Sequence, residues 1–182
     1  MGLMDFFKRK KGENPDPLSD LSLAKLKKGF MVDYDMKTRR VTESSYYDWG
    51  SDDITYEWQL TSADDEIIYL EREPDDEDYW SISRKIPLNS IDKRVIEHIL
   101  THHDPPNEII HNETTFVLSE TGSGRFYKGC KGAGRELIKW DFEDDSGKHF
   151  LSIEQWGEND FELSTGYKVE EYQFTNILPG DM

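Results

Sequence analysis

The sequence predicts a mainly β fold of the β-rich α+β class, with two similar antiparallel β-meander halves joined by one central helix. Two observations lead to this prediction. From Phe30 onward, runs rich in Val, Ile, Thr and aromatic residues are separated by Gly, Pro, Asp and Asn, which is the pattern of short strands and turns. In addition, two separate stretches, residues 56–83 and residues 138–164, have closely similar sequences.

The first half is predicted to contain one short helical segment and five strands. Residues 1–20 are interpreted as a basic and apolar tail followed by a linker rich in Pro, Asp and Ser. One or two helical turns are predicted next, because Leu23 and Leu26 would share one face and Gly29 would end the helix. Strands are predicted at 30–35, 39–48, 54–61, 66–73 and 79–85, with acidic hairpin turns at 62–65 and 74–78.

The central helix is predicted over 90–102. Apolar residues recur there with helical spacing and form one face, namely Ile91, Val95, Ile96, Ile99 and Leu100. Ser90 is the predicted N-cap, Asp92 suits the first turn, and Pro105 and Pro106 stop the helix.

The second half is predicted to contain six strands, at 114–120, 124–130, 136–143, 148–155, 159–165 and 168–175. The segments ETGSG and DDSGK are interpreted as turns. The sequence therefore predicts a single domain over 21–182, with halves at about 21–88 and 108–178 on either side of the helix.

The similar stretches are interpreted as a duplicated meander. They align Trp58 with Trp140 and Leu60 with Phe142. After a one-residue gap, they align Leu70 with Leu151, Glu73 with Glu154 and Trp80 with Phe161. Residues two apart on a strand point to the same face, so each copy predicts three strands with an aromatic residue on the buried face. The alternative is that any two three-stranded meanders with acidic turns look alike.

The segments YEWQL, YLERE, YWSIS, TTFVLSETGSGRFYKG and LSIEQW resemble the bacterial family known as domain of unknown function 4178. The resemblance extends over roughly 29–169 and lies in strand and turn motifs. It implies a bacterial, β-rich domain that is not secreted, and it transfers no activity and no catalytic residue.

Composition excludes several functional classes. The chain has 182 residues and a net charge of −16, from 38 acidic and 22 basic side chains. A body this acidic repels phosphate, so no nucleic-acid partner is predicted. The single cysteine cannot form an intramolecular disulfide, and no apolar run reaches the roughly 20 residues of a membrane span, so a cytoplasmic location is predicted.

Two weak patterns suggest binding chemistry. Arg125, Lys128 and Lys131 lie in a glycine-rich segment and form a candidate anion-binding site, although hairpin turns also explain the glycines. The bases around Cys130 suit a lowered thiol pKa, although a lone cysteine is more often inert.

The histidines also allow two interpretations. His98 and His102 have the helical spacing of metal ligands, but a solvated helix end explains them equally, and neither a metal nor a cofactor is predicted.

The tail suits weak contact with an anionic membrane. It places the rings of Phe6 and Phe7 directly before four bases, which are Lys8, Arg9, Lys10 and Lys11. The alternatives are a tail without a role and a tail that docks on a partner protein.

For function, the sequence favours a non-enzymatic protein-interaction or adaptor module with an unidentified protein partner, peripheral to the inner membrane surface. The alternative is a protein or enzyme that binds a small ligand or a polyamine-like cation between the two halves. A filled aromatic core between the halves would favour the module, whereas a pocket lined by convergent polar groups would favour the alternative.

Overall fold

The computed structural model describes residues 21–180, which form eleven strands and one α-helix. The helix, α1, is Lys93–His102, and short 3₁₀ turns lie at Leu23–Lys25, Leu88–Ser90, Lys128–Cys130 and Glu171–Gln173. The strands are β1 (Met31–Tyr34), β2 (Lys37–Gly50), β3 (Asp53–Ser62), β4 (Ile67–Glu73), β5 (Tyr79–Ile86), β6 (Glu108–His111), β7 (Thr114–Tyr127), β8 (Arg135–Glu143), β9 (His149–Gly157), β10 (Asp160–Val169) and β11 (Thr175–Leu178).

Eight of these strands close into an antiparallel barrel. Neighbours run in the order β2, β3, β4, β5, β10, β9, β8 and β7, and β2 also pairs with β7, which closes the circle. The closing contact is short and joins Tyr46 to Tyr127 and Asp48 to Arg125. The remaining strands extend the sheet beyond the barrel, with β1 beside β2, β11 beside β1, and β6 beside β7. The predicted β-rich class with one central helix is confirmed.

The large apolar side chains lie on the outside of the barrel, in two covered layers. The first layer contains Trp58, Leu60, Leu70, Trp80 and Ile82 and lies under the 3₁₀ turn Leu23–Lys25 and β1. Trp58 Nε1 donates a hydrogen bond of 2.9 Å to the Leu26 carbonyl, which ties this cover to the barrel. Burying each such side chain contributes roughly 1.5–3 kcal/mol, so the covering segments are integral to the fold.

The second apolar layer lies under α1 and β6. Val95 and Ile99 of the helix and Ile109 of β6 pack on Trp140, Phe142, Leu151, Ile153, Phe161 and Leu163. The period-2 alternation of β8, β9 and β10 places these residues on one face and the charged residues on the other. The helix therefore covers the barrel from outside.

The two aligned stretches occupy matching strands of the barrel. Trp58 lies on β3 and Trp140 on β8, which are the second strands of the consecutive sets β2–β5 and β7–β10. The register corrects the alignment after the first turn. Trp58 pairs with Leu70, but Trp140 pairs with Ile153, so Leu70 corresponds to Ile153 and not to Leu151. The duplication itself stays a prediction.

The prediction of a turn at ETGSG was wrong, because β7 runs through this segment without a break. The glycines serve close approach between strands. A Cβ at position 124 would lie 2.4 Å from the Asp48 carbonyl oxygen, and one at position 122 would lie 3.3 Å from the Trp49 ring. Only glycine lets β2 and β7 meet there. The predicted break after residue 165 was also wrong, since β10 continues to Val169.

The predicted central helix is confirmed, with a later start. Asp92, not Ser90, is the N-cap, and its side chain accepts a hydrogen bond from the Arg94 backbone N–H. The helix ends at His102, and the next residue, His103, is its C-cap and adopts the left-handed conformation before the prolines. Within residues 21–180, no helix is long and apolar enough to cross a membrane.

Candidate functional site

The interior of the barrel is polar. Lys139 on β8 lies 3.5 Å from Glu71 on β4, and these two strands stand on opposite sides of the ring. The Tyr47 hydroxyl on β2 lies within hydrogen-bond distance of Glu154 on β9, which is also not its neighbour. Side chains on strands that are not neighbours can meet only across the interior of the barrel. The face of each strand that carries the charged side chains therefore points inward.

Lys139 is the central cation of this interior. Its Nζ atom lies 3.5 Å from Glu71 Oε2 and 3.6 Å from Asp141 Oδ2, and it stands 5.7 Å from the centre of the Tyr47 ring. Burial by itself lowers the pKa of the ammonium, but the charges of Asp141 and Glu71 outweigh that effect and hold the pKa well above its ordinary value. Lys139 therefore remains charged at neutral pH.

A cluster of two carboxyl groups and a phenol lies next to this lysine. The Tyr47 oxygen is 2.9 Å from Glu154 Oε1 and 3.2 Å from Glu57 Oε2, and all three side chains are buried. A phenol has one hydrogen, so it donates to only one carboxylate at a time. The other contact becomes a hydrogen bond when that carboxyl is protonated and donates to the Tyr47 oxygen.

The pKa values of this cluster fit such proton sharing. Burial raises the pKa of the Glu57 carboxyl to about 8, and the negative charges of Glu71 and Glu154 add to the rise. Burial raises the pKa of Glu154 to about 7, although the Lys139 charge opposes it. Burial also holds the pKa of the Tyr47 hydroxyl well above its ordinary value. The cluster therefore holds exchangeable protons near neutral pH.

Two adjoining cavities open beside Lys139, with volumes of about 360 Å³ and about 220 Å³. Both are bordered by Glu73, Glu120, Lys139 and Asp141. Together their walls carry six carboxyl groups, on Asp53, Glu71, Glu73, Glu120, Asp141 and Glu143. Within the described part of the chain, only two basic side chains, Lys139 and Lys168, stand among them. The combined space is strongly acidic.

Aromatic rings complete the walls of these cavities, from Trp49, Tyr79 and Phe150. The Lys168 ammonium stands 5.1 Å from the centre of the Tyr79 ring and 3.4 Å from Glu143 Oε1. Lys139 makes the same kind of paired contact with the Tyr47 ring and Glu71. The chain's own alkylammonium groups thus use a ring and a carboxylate together, which is the environment that organic cations prefer.

The structure separates the predicted anion-site residues. Arg125 forms an ion pair of 2.6 Å with Glu136 and borders a groove near Trp49 and Trp156. Lys131 borders a different groove, beside the Leu23–Lys25 turn, and Lys128 begins the 3₁₀ turn Lys128–Cys130. The tail residues Phe6, Phe7, Lys8, Arg9, Lys10 and Lys11 lie outside residues 21–180. Both sites stay predictions.

Cys130 does not have the environment of an activated thiol. Its Sγ donates a hydrogen bond of 3.3 Å to the Ser44 carbonyl. Partial burial raises the pKa of the thiol, and the negative charge of Glu43 raises it further. Of the two interpretations from the sequence, this environment favours the inert thiol over a lowered pKa.

The rings of the two helix histidines contact each other at an angle of 45°. The ring centres of His98 and His102 are 4.4 Å apart, and His98 Nδ1 lies 2.8 Å from the Asp104 carbonyl oxygen. No group of three or more His, Cys, Asp or Glu side chains suited to a metal ion occurs in residues 21–180.

We expect protein purified without added metal to contain much less than one zinc or nickel per chain, because two imidazoles leave a tetrahedral site half filled. Elemental analysis checks this. Stoichiometric metal that disappears in His98→Ala/His102→Ala, but not in the exposed control His149→Ala, would contradict the expectation.

Comparison with known proteins assigns the chain to a family. The family described as "Domain of unknown function (DUF4178)" matches residues 27–171. The chain belongs to the DUF4178 family. An uncharacterized protein of Aquifex aeolicus (strain VF5) is 26% identical over 184 residues, which cover 98% of this chain and 99% of that protein. No solved structure matches the chain. The resemblance seen in the sequence is thereby confirmed.

The interior residues of this DUF4178 protein were not singled out from the sequence. A usable signal exists, because YEWQL and IKWDF each place polar residues on both sides of a buried tryptophan, and three of these four residues are charged. Alternation puts Glu57, Lys139 and Asp141 on the face opposite to Trp58 and Trp140. In an open sheet that face would meet solvent. Only barrel closure makes it an interior.

Proposed function

We propose that the barrel interior binds an organic cation of the alkylammonium class, such as a diamine or polyamine. The observation that carries this proposal is the pair of adjoining cavities bordered by six carboxyl groups and three aromatic side chains. The sequence allowed two functions, an interaction module and a ligand-binding protein. A pocket lined by convergent polar groups supports the second, with the ligand between the halves.

The shape and chemistry of the cavities favour an alkylammonium over a bare metal ion. Metal ions need several ligand atoms at about 2.0–2.6 Å from one point, and residues 21–180 offer no such group. A primary ammonium needs only carboxylates and rings at hydrogen-bond and van der Waals distances, as Lys139 and Lys168 already have. A chain of methylene groups between two ammonium groups would extend along the two cavities.

The proposal is tested by calorimetric titration of the full chain with putrescine, and with butanediol as the uncharged analogue. Putrescine is expected to bind and butanediol is not. The variant Glu73→Gln/Glu120→Gln removes two carboxyl groups that border both cavities. Burial raises the pKa of Glu73 to about 7, so the titration is done at pH 8, where this carboxyl is mostly ionised. The affinity of this variant for putrescine is expected to fall roughly tenfold or more, because two ion pairs are lost.

The control variant Glu77→Gln/Glu158→Gln removes two exposed carboxylates away from the cavities. It has the same net charge as the test variant and is expected to keep the affinity of the natural chain. Equal affinity in both variants, or equal binding of butanediol, would refute a specific cation site.

An interaction or adaptor role remains the other proposal for this protein. It does not depend on the interior cavities, and it stays a prediction from the sequence.

A further inference from the structure

Three carboxyl groups, one ammonium group and one phenol meet at one level of the barrel interior. Glu57 on β3 is the direct partner of Glu71 on β4, and Lys139 on β8 is the direct partner of Glu154 on β9. Tyr47 on β2 connects the two pairs, because its hydroxyl oxygen is 3.2 Å from Glu57 and 2.9 Å from Glu154. Each of these residues is at most 9% exposed. We call these five residues the interior layer.

The interior layer has an excess of negative charge that a bound proton offsets. With every carboxyl ionised, three negative charges would face the one positive charge of Lys139, and burial disfavours such an excess. The geometry agrees with a bound proton. The Tyr47 hydrogen satisfies one carboxylate, so the second contact is a hydrogen bond only when that carboxyl is protonated. Glu57 and Glu154 therefore share a proton.

The charged groups around the interior layer do not replace this proton. Lys85 on β5 and Glu162 on β10 adjoin Glu57 and Glu154, but they form an ion pair with each other, so their charges cancel. The phenol of Tyr69 also borders this space and is neutral. The groups around the cavities beside Lys139 are the Lys168–Glu143 ion pair and the carboxyls of Glu73, Glu120 and Asp141. In the part of the chain that the structure describes, the surroundings thus leave the negative excess in place.

The proposed cation site adjoins the interior layer directly. Glu71 and Lys139 belong to the layer and also border the cavity of about 220 Å³. The negative charge of Glu71 helps to keep the proton on Glu57. An ammonium group that enters the cavity brings a positive charge beside Glu71, and a nearby positive charge favours the ionised form of a carboxyl. A bound cation and the shared proton therefore compete for the same negative charge.

We infer that an organic cation and the shared proton exchange for each other in the barrel interior. This inference rests on the proposed cation site. In the exchange, the carboxylic acid of Glu57 or Glu154 releases H⁺ to the solvent and becomes a carboxylate, while one ammonium group enters with its charge. The charge of the interior stays constant, which avoids an uncompensated buried charge. Because such coupling is reciprocal, removal of the proton at higher pH strengthens cation binding.

The test counts the protons that are released when putrescine binds to the full chain at pH 8. Glu73, with a pKa of about 7, is mostly ionised at this pH, whereas Glu57, with a pKa of about 8, is protonated in roughly half of the molecules. Calorimetric titration is done in phosphate and in Tris, whose ionisation heats differ, so the difference in measured heat gives the number of protons. Amines keep their own protons at pH 8. We expect release of about half a proton per bound putrescine.

Two variants separate proton release from binding strength. Glu57→Gln keeps a hydrogen-bonding side chain but has no proton to exchange, so the release per bound putrescine is expected to fall about threefold or more. The cavity variant Glu73→Gln/Glu120→Gln weakens binding but is expected to keep the release per bound putrescine, because its interior layer is intact. Thermal unfolding verifies that both variants are folded.

The possible failures are distinguishable. Binding of putrescine without proton release would overturn the exchange and leave the cation site intact. Equal release in Glu57→Gln and in the natural chain would also overturn the exchange, since the proton would then come from elsewhere. Absence of binding heat in both buffers would refute the cation site itself, and the exchange with it.

Discussion

Replacement of Lys139 by alanine is expected to lower the free energy of unfolding by about 3 kcal/mol at neutral pH. The change leaves Glu71 and Asp141 in the interior without their cation, and an uncompensated buried charge costs roughly 3–5 kcal/mol. We take the low end, because Asp141 is partly exposed and both N–O distances are long for charge-assisted hydrogen bonds. Urea unfolding measures the effect, with the exposed Lys148→Ala as control.

The same variant offers a chemical test of the interior as an ammonium site. Removing the Lys139 side chain opens space where an ammonium group stood beside Glu71 and the Tyr47 ring. Butylammonium is expected to raise the melting temperature of Lys139→Ala more than that of the natural chain, while butanol has no such effect. Equal stabilisation by butanol would show that the interior recognises apolar volume and not charge.

Replacement of Glu57 by glutamine is expected to change how stability depends on pH. In the folded chain the Glu57 pKa is raised from an ordinary value of 4.5 to about 8. Below pH 4.5 the carboxyl is protonated in both the folded and the unfolded chain, so its burial does not lower the free energy of unfolding. Between 4.5 and 8 the unfolded chain releases the proton and the folded chain retains it, so stability falls as pH rises. Glutamine is neutral in both states and removes this loss.

Glu57→Gln should therefore match the natural chain near pH 4 and be more stable near pH 8, by about 4 kcal/mol. For a chain of this length that gain corresponds to roughly 8–16 °C in melting temperature. Thermal unfolding at several pH values checks it, with the exposed Glu158→Gln as control. A glutamine variant that is equally stabilised or destabilised at both pH values would refute the raised pKa.

Most strand positions were predictable because period-2 alternation is a local property. Val, Ile and aromatic residues at every second position identify β3, β4, β5, β8 and β9 within one or two residues. The helix was also predictable from a local pattern, since Val95 and Ile99 lie one helical turn apart. Errors arose where glycine has two uses. In β7, Gly122 and Gly124 permit close strand approach, and the sequence alone makes them look like a turn.

What the sequence by itself determined is the alternation, the single helix, the acidic charge and the membership of the family. It could not determine which face of the strands would lie inside. Trp58 and Glu57 are neighbours on β3, and either face can be buried in a sheet. The tertiary structure decided this by closing β2 onto β7 and covering the tryptophan face with α1, β1 and the Leu23–Lys25 turn. The physical reason is that pairing between distant strands sets the curvature of a sheet, and no local pattern encodes that curvature. The carboxylates and Lys139 therefore lie on the inward face of the closed barrel, where they form the candidate site.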